Sequence, residues 1–154
     1  MKCKKNLILI LLITIAISCE KEKDLSKTEI LTQKPWKLTS WTVSPPLDYP
    51  DIGLISDFFA LYSDCAKDDI WVLKSTGSYT WEEGETKCNV SDPAVYDMGT
   101  WTFNSDETVL TTSSNLSGLN SYDIVELTTS AMKLRYQRID TLDNIYTFNE
   151  GYGH

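Results

Sequence analysis

From residue 34 onward, apolar and polar positions alternate in short runs separated by residues that favour turns. The runs are Trp36 to Val43, Ile70 to Lys74, Ser78 to Trp81, Thr100 to Phe103, Thr108 to Thr112, Tyr122 to Leu127, Met132 to Arg138 and Ile145 to Phe148. Each is rich in β-branched and aromatic side chains, which suit a pleated, half-buried surface. Thr76-Gly77, Asn104 to Glu107, Ser113 to Gly118 and Leu142-Asp143-Asn144 supply turns between them. The pattern predicts an all-β domain, and eight antiparallel strands are the inventory of a small closed barrel. In the first run Trp36, Leu38 and Ser40 share one face, and Lys37, Thr39 and Trp41 the other.

One stretch departs from this alternation. Ile55, Phe58, Phe59 and Tyr62 recur at i, i+3, i+4 and i+7, which predicts a short helix between the first and second strands. Such a helix would cap one mouth of the barrel, where a lid would also sit. Ser44 to Pro50, with three prolines, reads as a stiff loop before it. A two-residue turn at Thr76-Gly77 would pair Val72 with Trp81 and Leu73 with Thr80, and the same register brings Cys65 opposite Cys88.

The other end of the chain carries a different pattern. Lys2, Lys4 and Lys5 precede an apolar run from Leu7 to Ile17, too short to span ~30 Å of hydrocarbon. Ala16-Ile17-Ser18-Cys19 then resembles a lipobox, in which the chain is cut before the cysteine and the cysteine is acylated, by palmitate among other chains. This assigns residues 1–18 to a lipoprotein signal peptide and 19–33 to an acylated Cys19 with a charged tether. Glu20 to Asp24 is similar to the export signals of Bacteroidetes-type lipoproteins, which implies an outer-membrane lipoprotein exposed at the cell surface. The barrel is assigned to 34–150 and a C-terminal tail to 151–154.

Charge narrows the partners. The first 18 residues hold three lysines and no acid, so 11 basic and 22 acidic side chains follow, a net charge of −11. An acidic surface repels nucleic acid and anionic lipid heads alike, leaving membrane attachment to the acyl chains. Cys65 and Cys88 remain as a single pair, expected to be oxidised outside the cytoplasm. The competing reading, a metal site, lacks ligands, because the chain has one histidine and no CxxC. That histidine, His154, reads as a frayed end or tag remnant, so a hydrolytic triad is hard to build. No phosphate loop or metalloprotease motif is present in the sequence, and no cofactor is expected. The acids Asp68-Asp69 and Glu82-Glu83-Glu85 read as a solvated rim that discourages edge pairing, with a glycosidase the lesser alternative.

Taken in order, Pro35-Trp36-Lys37-Leu38, Cys65 to Asp69, Gly77-Ser78-Tyr79-Thr80, Gly99 to Phe103 and Tyr122 to Leu127 resemble the lipocalin-like domains of Bacteroidetes lipoproteins. The resemblance implies an eight-stranded antiparallel barrel. It also implies a floor closed by Trp36 beneath a stacking cation, here Arg135 or Arg138, although Lys34 stands where lipocalins have glycine. Asp140-Thr141-Leu142 is similar to a short O-glycosylation acceptor pattern of the same bacteria. The expected activity is non-catalytic binding of a small apolar or amphipathic ligand inside the barrel. Candidate ligand contacts are Trp36, Phe58, Phe59, Tyr79, Trp81, Trp101, Phe103, Tyr136, Tyr146 and Phe148. The alternative is a ring-filled barrel whose loops bind a protein or glycan at the cell envelope.

Overall fold

The structure is a computed structural model that describes residues 24–154. The signal segment, Cys19 and the start of the charged run lie outside the described residues.

All eight expected strands form, and most are longer than the alternation suggests. They are β1 (Trp36–Tyr49), β3 (Ile70–Leu73), β4 (Ser78–Glu82), β5 (Val95–Phe103), β6 (Val109–Ser114), β7 (Gly118–Leu127), β8 (Met132–Ile139) and β9 (Ile145–Gly153). Every neighbouring pair is antiparallel, and β9 returns to pair with β1, closing an eight-stranded barrel. A ninth strand, β2 (Gly53–Asp57), pairs only with the distal half of β1.

Between β1 and β3 the expected short helix is present, although it does not follow the whole apolar stripe. Ile55 lies in β2, Phe59–Leu61 forms one 3-10 turn, and α2 (Asp64–Lys67) adds one helical turn. The stretch expected as a proline-rich loop is strand: β1 continues through Pro45 and Pro46 and pairs Leu47 with Ile55 and Tyr49 with Gly53. Proline is tolerated there because the register is irregular between Thr42 and Leu47, so those positions donate nothing to the ladder.

Two registers also depart from expectation. The β3–β4 hairpin turns through three residues, with Gly77 at φ 83° and its N–H donating to the Lys74 carbonyl. That conformation suits glycine and slips the pairing by one residue, so Trp71 faces Trp81 and Leu73 faces Tyr79. Within β1, a bulge between Leu38 and Ser40 resets the alternation. Trp41 and Val43, rather than Ser40, therefore follow Leu38 into the barrel.

One end of the barrel is closed and packed. α1 (Lys27–Thr32) starts at Ser26, whose side chain and that of Glu29 form a capping box, and its Leu31 is fully buried. The Trp36 indole N–H donates to the Leu31 carbonyl at 2.8 Å. Leu38, Leu73, Trp101, Leu110, Met132 and Leu134 complete this floor. The expected stacking arginine is absent from it: Arg135 reaches Asp123 at 3.4 Å, and Arg138 lies over the Tyr136 ring. His154 takes that place, its ring 4.2 Å from Trp36 and its Nδ1 2.8 Å from the Pro35 carbonyl oxygen. Where the sequence places a tether up to residue 33 and a tail from 151, the structure has a packed helix and the end of β9.

Candidate functional site

Above the floor the barrel interior is split in two. On the side of β1, β8 and β9 it is filled by rings. Phe58 lies 4.7 Å from Trp41 and 6.1 Å from Phe148, and Phe148 stacks on Tyr136 at 4.9 Å. Tyr62 packs edge-on against Trp41, which fastens the segment after β2 over this half of the mouth. On the side of β4 to β7 the interior is open, as a pocket of about 310 Å³.

The pocket has an aromatic wall and a polar one. Trp71 is the hub of the first, with Trp81 and Tyr79 each 5.9 Å away, Tyr152 at 5.7 Å and Tyr122 at 6.4 Å. The indole nitrogen of Trp71 is buried and has no hydrogen-bond partner. The second wall comes from Asp97, Thr112, Ser117 and Asn120, with Leu116 of the β6–β7 turn at the rim, 73% exposed. Glu150, from β9, enters from the far side.

Two carboxyl groups set the electrostatics, and their surroundings push them apart. Glu150 accepts the Tyr152 hydroxyl at 2.6 Å, and Tyr136, which itself accepts the Trp41 indole N–H at 3.3 Å, also bonds to it. Burial nonetheless raises its pKa above the usual glutamate value, against those two hydroxyls and the attraction of Arg138. Asp97 is also desolvated, but its Oδ2 accepts Ser117 Oγ at 2.7 Å, Ser114 Oγ at 2.9 Å and the Tyr79 hydroxyl at 3.1 Å. With the Met98 N–H on Oδ1, these bonds outweigh burial and hold Asp97 below the usual range. None of the side chains lining the pocket is a lysine, arginine or histidine.

At the pocket's edge Tyr96 leads to a second acidic group. Asp69 and Glu83 are each only 8% exposed, which corrects the expectation of a solvated rim. The Asp69 carboxylate accepts the Gly84 N–H and, at 3.4 Å, the Tyr96 hydroxyl. Burial, with Glu83 and Asp68 nearby, raises its pKa. Cys65 and Cys88 form a disulfide beside it, Cα atoms 5.2 Å apart, tying α2 to the segment after β4. Among the described residues no group of three or more His, Cys, Asp or Glu is placed to hold a metal ion.

The ten residues singled out from the sequence are dispersed through these zones. Tyr79 and Trp81 line the pocket. Trp36 and Trp101 belong to the floor, where the Trp101 indole bonds to the Lys74 carbonyl and Phe103 packs against it. Phe58, Tyr136 and Phe148 fill the other half of the mouth. Phe59 lies under Lys67 and beside Tyr62, and Tyr146 sits at the β8–β9 turn with its hydroxyl on Asp140. Thr141 is exposed in that turn, which Asp140 holds through the backbone N–H groups of Leu142 and Asn144. Sequence reasoning missed Trp71, Asp97, Tyr122, Glu150 and Tyr152. The signal was available for the last two, because Phe148, Glu150 and Tyr152 continue the period of two into residues assigned to the tail.

A closed barrel with one packed end and an interior pocket defines a calyx, the architecture of small binding proteins. Residues 32–134 match the lipocalin-like domain family, and the chain belongs to it. Comparison with curated proteins gives no match. Among solved structures, bovine odorant-binding protein in complex with a selenium-containing odorant is 12% identical, with a TM-score of 0.44 over 87% of this chain and 76% of that one. The same bovine protein in complex with undecanal gives 14% identity, a TM-score of 0.43 and the same coverage. The bovine lipocalin allergen Bos d 2 gives 8% identity and a TM-score of 0.42 over 82% of this chain and 73% of its own.

Proposed function

We propose that this protein is a non-catalytic binding protein that holds a small apolar or amphipathic molecule in its half-open barrel. The observation that carries this reading is the pocket of about 310 Å³ walled by Trp71, Tyr79, Trp81 and Tyr122. At ~30 Å³ per non-hydrogen atom, the space suits a ligand of about ten such atoms, smaller than a long-chain fatty acid. Rings that fill the rest of the barrel give that pocket rigid walls, and a preformed apolar site loses little ordering entropy on binding. The lipobox-like Ala16 to Cys19 supports anchoring through an acylated Cys19, with the barrel at the cell surface of a Bacteroidetes-type outer membrane.

The test is titration of protein beginning at Glu20, which keeps every strand, α1 and the disulfide. The probe is the neutral fluorophore 1-naphthylamine, small enough for a pocket of about 310 Å³, followed by energy transfer from tryptophan. Saturable one-to-one binding, weakened by Trp81→Ala, is expected; no binding to folded, oxidised protein refutes the ligand role and favours an interaction module. Anchoring is tested separately: incorporation of labelled palmitate into cells is expected, and retention of label in Cys19→Ser would exclude it.

A further inference from the structure

We infer that the ligand is a small organic ammonium, its cationic head against Glu150 and its apolar body along the rings around Trp71. The inference rests on the binding reading above and adds the chemical class.

Three features of the pocket lead there. First, the charge is one-sided. Glu150 and Asp97 line the pocket, and neither forms a salt bridge with a described residue. The nearest cation, Arg138, is already engaged: its guanidinium donates to Asn120 Oδ1 at 2.6 Å and lies 5.0 Å from the centre of the Tyr136 ring. A carboxylate ligand would therefore enter a space that holds two carboxyl groups and no basic side chain. Second, the two acids differ in what they lack. Asp97 has a full set of donors from Ser114, Ser117, Tyr79 and the Met98 amide. Glu150 has hydroxyl donors alone, from Tyr152 and Tyr136, and no cation in contact. A half-buried carboxylate without a cationic partner costs stability, and a ligand cation supplies that partner. Third, the remaining wall is aromatic, with Trp71, Trp81, Tyr122 and Tyr152 clustered within 5.7–6.4 Å of ring-centre spacing about Trp71. Ring faces attract ammonium groups as well as methylene chains, so the whole wall tolerates the positive end.

The experiment uses three ligands of one chain length: octylammonium, octanol and octanoate, each of about ten non-hydrogen atoms. Each is titrated by calorimetry into protein beginning at Glu20, at pH 7.5 in 0.15 M and 0.5 M salt. Octylammonium is expected to bind one-to-one and at least tenfold more tightly than octanol, with octanoate weakest. Adsorption to the acidic exterior would be abolished at 0.5 M salt, whereas a contact inside the pocket is screened far less. In Glu150→Gln the ratio of octylammonium to octanol affinity is expected to fall to about one. Asp97→Asn provides a second reading should the first variant fail to fold, and there the ratio is expected to fall by a smaller factor.

The outcomes separate the two readings. Octanol binding without a preference for the ammonium, or octanoate binding as tightly as octylammonium, overturns this inference and leaves the apolar site intact. A preference that survives Glu150→Gln, or one that vanishes at 0.5 M salt, overturns it as well. If none of the three binds, the ligand role itself fails and the inference with it.

Discussion

Replacing both Cys65 and Cys88 by alanine should lower the stability of the barrel by an amount set by loop closure alone. The cysteines are 23 positions apart, so the bridge closes a loop of about 24 residues. The chain-entropy relation assigns such a loop roughly 3.4 kcal/mol at 25 °C. Neither cysteine is buried, so little packing is lost with the sulfurs. At ~2.1 cal/mol/K of unfolding entropy per residue, the residues 24–154 give about 275 cal/mol/K, and 3.4 kcal/mol becomes a fall in Tm of about 12 °C. Paired urea and calorimetric unfolding of the oxidised protein, the reduced protein and the double-alanine variant would measure it. An entropic crosslink predicts that reduced and variant proteins coincide, and that both unfold with a steeper urea slope because the denatured chain expands. A loss below about 1 kcal/mol with an unchanged slope would refute the loop-closure reasoning. A loss well above 5 kcal/mol would refute it in the other direction. The bridge would then be holding native contacts, such as those of Asp69 with Gly84 and Tyr96 beside it.

Glu150→Gln is expected to stabilise the unliganded protein, more at pH 8 than at pH 4. A carboxyl with its pKa raised in the folded state contributes stability that is full below the unfolded pKa and lost as pH rises through the folded one. Glutamine removes that loss, so urea midpoints of variant and wild type should diverge with rising pH; parallel midpoints would contradict the burial of Glu150. Trp36→Phe leaves the Leu31 carbonyl buried without its 2.8 Å donor and should cost about 1–3 kcal/mol in urea unfolding. Gly99→Ala would place a Cβ 2.1 Å from the Ser113 carbonyl oxygen and 2.8 Å from the Tyr79 ring. Both neighbours are held in the barrel, so the variant should lose about 1–3 kcal/mol, and wild-type stability would show that β5 and β6 are not in this register.

The strand inventory was legible because it depends on alternation, which survives any error in register. What depended on register was not. The Thr76-Gly77 turn reads equally as two or three residues, and the one-residue difference decides whether Trp81 faces Trp71 or Val72. The bulge in β1 carries no residue signature, since Thr39 and Ser40 fit a regular strand, yet it moves Trp41 from the outer face to the inner. The Ile55–Tyr62 stripe had helical spacing, but β1 offered Ile55 and Leu54 a strand partner, and pairing prevailed over a short amphipathic turn. His154 sits just past the end of β9, where the sequence alone offers no reason to expect a fixed position. The contact that holds it, with Trp36 and Pro35, joins residues more than a hundred positions apart and leaves no local trace.

The position of the pocket follows from where rings are missing rather than from where they are. On β1 and β9 the inward residues Trp41 and Phe148 pack their rings against Phe58 of the lid segment, and Tyr136 of β8 stacks on Phe148. Opposite them, β5 to β7 send in Asp97, Thr112, Ser114 and Asn120, which are shorter; Asp97 and Ser114 are hydrogen-bonded to each other and Asn120 to the turn between β6 and β7. A closed barrel holds its diameter whatever its contents, because the ladder fixes the spacing of the strands. Short side chains on one wall therefore leave a void instead of a collapse. The aromatic residues chosen from the sequence mark the filled half and the floor, and only Tyr79 and Trp81 among them reach the void. Polar residues at inward positions would have located it, and one of them, Asp97, shares the cavity's acidic character with Glu150 of β9. Substitutions that enlarge Thr112 or Asn120 on this wall should fill the pocket and abolish the proposed binding while leaving Glu150 of β9 in place.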